Sequence, residues 1–332
     1  MCDNFCMSHL SISQTITAYL DSVRLSRSQN TYLTYRNGMQ AFAQVLSENG
    51  IDCDKAAINT LQEDAIVWFS DALKDLASTS ERLYLTAATS FFEYLAAENL
   101  AVINLPRIRL LIRQRARRPG VRLPQFPNDD IEQVLNHMLA LGEQPVSDEQ
   151  QHLRDLRDRA FLITLADTGL RVHEACKLVR GDLDWNEQRA IIIGKGNRED
   201  VVRFSDRSIQ AIKRYLQARA RIDGGSGREL VRLPLFARHD RGAGAKTKPI
   251  TTTTGRNIVT ERVAQALGPG AVGTITPHSF RHYFVTRVLR SSGNLKLAQE
   301  LARHRNIAVT QRYTHLSNDE LDRGFREAMD KK

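Results

Sequence analysis

Between Pro106 and Arg122 the chain carries seven arginines and no acidic residue, and Pro106, Pro119, Pro124 and Pro127 punctuate the stretch. Seven unpaired arginines cannot enter a core, and closely spaced prolines break regular structure. The segment therefore divides the 332 residues into two parts, and a chain of this length accommodates about two domains. The charge on either side is unequal. Residues 1–105 hold 6 basic and 12 acidic residues, whereas residues 123–332 hold 34 and 26. A basic body behind an arginine-only segment suggests a polyanionic partner. The segment reads either as a solvated connector or as a strap along a phosphate backbone, with Arg107, Arg109, Arg113, Arg115, Arg117, Arg118 and Arg122 as contacts. The exclusion of acids from a stretch between two domains favours the strap.

Other classes are excluded more simply. No run approaches the ~18 apolar residues of a membrane helix. The first twenty residues lack the basic start and apolar centre of a signal peptide, so a cytoplasmic protein is expected. Cys2, Cys6, Cys53 and Cys176 are too few and too scattered for a disulfide framework or a zinc site.

The organisation that follows is a short tail (1–10), a helical domain (11–105), a basic linker (106–122) and a second domain (123–332). Four helices are expected over residues 11–100. Ile16, Tyr19, Leu20 and Val23 lie at helical spacing, as do Tyr32, Tyr35, Met39, Phe42 and Leu46 before Asn49-Gly50. Thr60 and Glu63 form a capping-box pattern ahead of Ile66, Val67, Phe69 and Leu73. Ser80 opens a segment bearing Leu83, Ala87, Phe91, Tyr94 and Leu95. The aromatic stripe reads as core rather than as a base-stacking surface. The second domain is mainly helical with a small β-sheet. Helices are expected from Asn128 or Asp129 to Leu141, from Asp148 to Asp167 and from Ser208 to Arg221. Others begin near Thr254, His278, Asn294 and Ser317. Two short strands, Ala190–Ile193 and Val201–Phe204, are joined by the turn Gly194-Lys195-Gly196-Asn197. Residues 222–250 read as an irregular surface excursion.

There is no phosphate-binding Walker loop, no dinucleotide glycine fingerprint, no HExxH and no GxSxG. No metal and no nucleotide cofactor is expected. Four short segments stand out instead: Thr168-Gly169-Leu170-Arg171-Val172-His173-Glu174; the Lys195 turn; Thr276-Pro277-His278-Ser279-Phe280-Arg281; and Leu301-Ala302-Arg303-His304 followed nine residues later by Tyr313. In order and spacing they resemble the tyrosine recombinase (phage integrase, Xer-like) family over roughly residues 123–330, and more loosely over the helical first domain. The resemblance implies an N-terminal helical, SAM-like core-binding domain and a mixed α/β catalytic domain, forming a C-shaped clamp on duplex DNA. It also implies a homo-oligomer, four protomers on two sites, to which accessory proteins can be added. One departure is plain: the family usually has glycine where this chain has Arg303.

The chemistry explains why these residue types belong together. Displacement at a phosphodiester concentrates charge on the non-bridging oxygens. Arg171 and Arg281 can meet that charge with planar guanidiniums that stay protonated, supplying as fixed electrostatics what a metal supplies elsewhere. Tyr313 is the nucleophile, and Lys195 at a hairpin tip can protonate the leaving 5′-oxygen. By resemblance His278 is a base or phosphate donor and His304 a phosphate donor. Glu174, one turn after Arg171, can hold an arginine or histidine in place, and Arg303 can take a DNA phosphate. Two rivals are a type IB topoisomerase-like enzyme, which religates its own strand, and a non-catalytic DNA-binding regulator of the same fold. The two-domain layout favours recombination, and the presence of all six reactive residues speaks against the regulator.

Overall fold

The computed structural model describes residues 10–117, 127–141, 148–193, 199–240 and 247–304. They fall into two compact units, 1–122 and 123–332, each treated by itself.

The first unit is helical: α1 (Ile12–Ser26), α2 (Gln29–Glu48), α3 (Ala65–Ala72), α4 (Ser78–Ala97) and α5 (Leu105–Arg115). Ser11 starts α1 with a reciprocal cap, its Oγ accepting the Gln14 N–H at 3.2 Å while Gln14 Oε1 accepts the Ser11 N–H at 3.0 Å, which satisfies two donors that a helix start leaves open. Ile12, Ile16, Tyr19 and Val23 are buried along one stripe. The stripe meets an aromatic core in which Phe42 packs edge-on against Phe69 (ring centroids 5.1 Å apart) and Phe92 (6.0 Å). The aromatics are thus core, as their helical spacing predicts.

Two expectations fail here. The Thr60–Glu63 box does not form: Thr60 sits in a 3-10 turn with its hydroxyl on the Ala57 carbonyl, and Glu63 turns to the Asn104 N–H (2.7 Å) and Arg107 (3.1 Å). The segment from residue 106 is also not an irregular linker over its first half. Asn104 caps α5 and Pro106 lies in its first turn, where its missing N–H costs nothing. Ile108 on this helix is fully buried. Four of the arginines are paired with acids of the same unit. Arg107 pairs with Asp64 (2.7 Å), Arg109 with Glu93 (2.8 Å) and Arg115 with Asp71 (3.6 Å). Arg117 meets the buried carboxylate of Glu81 (2.5 Å), which also holds Lys74 (3.0 Å). The negative first third and the positive segment after it are complementary surfaces of one unit. Arg113 has no acidic partner among the described residues and lines a groove with Arg82, Thr86 and Thr89. Arg118 and Arg122 lie outside the described residues.

The second unit runs α6 (Asn128–Leu141), α7 (Glu149–Thr168), α8 (Val172–Lys177), β1 (Leu183–Asp184), β2 (Arg189–Ile193), β3 (Glu199–Arg203), α9 (Asp206–Ala218), α10 (Ala220–Gly224), α11 (Thr252–Leu267), α12 (Pro277–Ser292) and α13 (Leu295–Ala302). The three strands form an antiparallel sheet in chain order, with Ala190 opposite Val202. The α7 helix is buried on nearly every side and is the axis of the core. A third expectation also fails: residues 222–250 are not a surface excursion throughout. Leu233, Leu235, Phe236 and Ala237 are fully buried, and Phe236 packs edge-on against Phe161 of α7 at 5.2 Å. The buried Arg219 makes this possible, satisfying the carbonyls of Pro234 (2.8 Å) and Leu235 (3.3 Å) that burial would otherwise leave unpaired.

Candidate active site

The site begins where α7 stops. Gly169 ends that helix in the left-handed region (φ 59°), which glycine enters without strain. A Cβ there would lie 2.5 Å from the Phe284 ring, so packing against α12 also demands glycine. The chain then turns into α8 with Arg171 at its N-cap and Glu174 in its first turn. The Glu174 carboxylate accepts the Arg171 backbone N–H on Oε2 and the Arg171 guanidinium on Oε1, both at 2.8 Å. One acid therefore fixes the main chain and the side chain of Arg171, whose side chain remains 45% exposed. It is an accessible, oriented cation.

Arg281 reaches the same place from α12. Its side chain is buried, at 2% exposure. Nη1 donates to the Gly169 carbonyl (2.5 Å) and Nη2 to the carbonyl of Ala302. Two backbone acceptors hold the guanidinium plane and leave its other N–H donors for a ligand. Burial, then the nearby charges of Arg171 and Arg303, bring its pKa down to about 9, so it is still a cation at neutral pH. His278 lies one turn before Arg281, on a helix whose start is tied by Ser279 Oγ accepting the Thr276 N–H (3.0 Å). Its ring stands edge-on to His282, 4.2 Å between centroids. His304 follows α13. Gln299 grips it on both sides, its carbonyl accepting the His304 N–H and its Nε2 donating to the His304 carbonyl, each at 3.0 Å. Burial and then Arg281 and Arg171 lower the pKa of both histidines, that of His304 to about 4. Both are neutral imidazoles at pH 7, each with one donor and one acceptor nitrogen.

Arg303 does not project to the surface. It caps α13 with φ 57°, and its side chain, 5% exposed, places Nη2 3.2 Å from Glu174 Oε2. The Glu174 carboxylate is therefore shared. Burial pushes its pKa up, but the Arg171 N–H and the charges of Arg303 and Arg171 outweigh that and hold it below the usual carboxylate range. Three guanidiniums around one carboxylate make a positively charged site suited to an anion.

The structure thus brings together Arg171, Glu174, His278, Arg281, Arg303 and His304, drawn from sequence positions more than a hundred residues apart. Lys195, in the segment between β2 and β3, lies outside the described residues, as do Tyr313 and the helix expected after Ser317. Gln299 and the carbonyls of Gly169 and Ala302 were not singled out from the sequence. A backbone acceptor leaves no sequence signal, and a glutamine in a helix is indistinguishable from a surface residue.

Comparison with known proteins agrees with this geometry. A profile of the phage integrase family matches residues 126–320, and one for the N-terminal SAM-like domain of phage integrases matches residues 16–99. The chain belongs to the phage integrase family. It is 27% identical to tyrosine recombinase XerC of Staphylococcus saprophyticus over 94% of this chain and 95% of that protein. It is 29% identical to tyrosine recombinase XerC of Actinobacillus pleuropneumoniae over 90% and 88%. Among solved structures, its fold is similar to XerH recombinase bound to a palindromic difH substrate in a post-cleavage complex (TM-score 0.69, 19% identity, 95% of this chain and 84% of that one). It is also similar to a lambda integrase dimer bound to a core site (TM-score 0.62, 15% identity, 92% and 78%). Among the described residues, no helix is long and apolar enough to cross a membrane.

Proposed function

We propose that this chain is a site-specific DNA recombinase of the cytoplasm that cleaves and rejoins duplex DNA through a tyrosine. One observation carries the reading: two arginines and two neutral histidines converge from α8, α12 and α13 on a site with excess positive charge. In the proposed step the Tyr313 oxygen attacks the phosphorus and its proton passes to His278. The 5′-oxygen leaves with a proton from Lys195. Arg171, Arg281 and a His304 N–H meet the charge that grows on the non-bridging oxygens. The products are a 3′-phosphotyrosyl ester and a free 5′-hydroxyl. One ester replaces another, so neither ATP nor metal is consumed. A 5′-hydroxyl from the partner duplex reverses the step, and two rounds pass through a Holliday junction. Four protomers on two sites supply the four tyrosines this needs.

The test is a duplex nicked beside the cleavage position, from which the short 5′-hydroxyl fragment diffuses away. The protein should become attached to DNA in a form stable to detergent, and equally in excess EDTA. Binding without attachment on cognate DNA would leave only a DNA-binding regulator. Attachment that needs magnesium would overturn the assignment of charge neutralisation to the arginines.

A further inference from the structure

Arg303 stands where the family usually has glycine, and the backbone shows what the exchange costs. The residue caps α13 at φ 57°, ψ 43°, a left-handed conformation that is unfavourable for a residue bearing a Cβ. The guanidinium is then buried beside two others. Nη2 donates to Glu174 Oε2 at 3.2 Å and approaches the Gly169 carbonyl at 3.5 Å. Nε and Nη1 are buried without a hydrogen-bond partner among the described residues. A strained backbone and an incompletely satisfied buried cation both oppose folding, so the position is expected to serve the site rather than the fold.

We propose that Arg303 is a positioning residue for strand cleavage, acting on Arg171 through the shared carboxylate of Glu174. This rests on the recombinase reading above. Two effects run in the same direction. Guanidiniums on separate oxygens hold the carboxylate plane, and with it the Arg171 side chain on Oε1 and backbone N–H on Oε2. The single negative charge is also divided between Arg303 and Arg171, which leaves Arg171 more positive charge for a phosphodiester. Without Arg303, Glu174 turns wholly to Arg171 and competes with the phosphate. The loss then falls on the rate of cleavage more than on DNA affinity, because most of the affinity comes from phosphate contacts elsewhere.

The experiment is single-turnover cleavage of the nicked duplex by the full chain and four variants: Arg303→Met, Arg303→Lys, Glu174→Gln and the Arg303→Met/Glu174→Gln double. Gel-shift affinity and melting temperature are measured beside it. Arg303→Met should slow cleavage by about 10- to 100-fold, the usual range for residues that orient a reactive group, with affinity changed less than about threefold. Arg303→Lys should recover part of the rate, since an ammonium still reaches the carboxylate. The double variant should be no slower than the slower single one, because both act by one route. Multiplying losses would mean that Arg303 acts independently of Glu174 and would overturn the proposal. Wild-type speed in Arg303→Met would overturn it too. So would equal slowing in Met and Lys variants accompanied by a lowered melting temperature, the mark of packing alone. Should Arg303→Met not fold, Arg303→Lys against Glu174→Gln carries the same comparison. Failure of the unmodified chain to attach to cognate DNA removes the recombinase reading itself; attachment with an unaffected Arg303→Met removes only this inference.

Discussion

Arg281→Lys keeps the formal charge of the site and should still disable it, in a way that depends on pH. Arginine tolerates this position because it starts high: burial and the neighbouring guanidiniums lower it from 12.5 to about 9, and it stays protonated. Lysine starts lower, near 10.4, and the same burial and neighbouring guanidiniums push it down further. The substituted side chain therefore gives up its proton at a lower pH than Arg281, and the site loses charge as pH rises. Geometry adds a second loss. The two terminal nitrogens of Arg281 serve the carbonyls of Gly169 and Ala302, and one ammonium cannot hold both in the same plane. Losing one charge-assisted hydrogen bond costs about 1.5–3 kcal/mol, or about 10- to 150-fold in rate if it is felt at the transition state. The assay is single-turnover cleavage of a nicked duplex between pH 5.5 and 9, expressed as the ratio of variant to wild type so that titration of other groups cancels. The ratio should be below about 0.1 at pH 6 and fall further as the pH rises. A ratio near one, or one independent of pH, would refute the reasoning that a buried, doubly anchored arginine carries the charge.

Three further outcomes follow from particular contacts. Glu81→Gln should lower the stability of the helical unit by about 2 kcal/mol in urea unfolding, since it strips a buried carboxylate from Arg117 and Lys74, whose partial exposure moderates the loss. Burial raises the Glu81 pKa, but those hydrogen bonds bring it to about 2, so wild-type stability from this group is present above pH 4.5 and is lost as pH falls through about 2. Arg113→Gln should reduce the salt slope of DNA binding by about 0.9, whereas Arg107→Gln, already paired with Glu63 and Asp64, should change it much less; equal changes would contradict the division between paired and available arginines. In NMR titration, His304 should protonate near pH 4 rather than 6.5, so the second unit loses stability as pH falls from 6.5 through about 4, and bound duplex DNA should move the titration upward; an unshifted His304 would show it solvated and away from the arginines.

Much of the helical framework could be read because local rules act within a few residues. The stop at Asn49-Gly50 and the end of α7 at Gly169 are decided by neighbours a few positions away. What escaped depends on partners distant in sequence. Glu63 looked like the far end of a capping box, but Asn104 and Arg107, some forty residues on, take its carboxylate. Arg107, Arg109, Arg115 and Arg117 looked like a free strap because their acids lie at the start of α3 and along α3 and α4. Residues 233–237 looked exposed because the donors that satisfy their buried carbonyls are distant in sequence: Arg219 for Pro234 and Leu235, the Arg180 N–H for Leu233 and the Ile250 N–H for Phe236. The candidate site was legible through Arg171, His278, Arg281 and His304 because their order and spacing resemble the family's signature. The acceptors that aim them, Gly169 and Ala302, act through carbonyls that every residue has. Arg303 was legible only as a departure, and its fold into Glu174 required the structure.

In the proposed reaction one side chain, Tyr313, carries the DNA between cleavage and rejoining. Trapping the protein on a nicked duplex, digesting both protein and DNA, and sequencing the modified peptide by mass spectrometry tests this directly. A single nucleotide-bearing peptide is expected, with the phosphate on Tyr313, formed in EDTA and absent in Tyr313→Phe, which still binds the duplex. A modified serine or another tyrosine, or undiminished trapping by Tyr313→Phe, would contradict it.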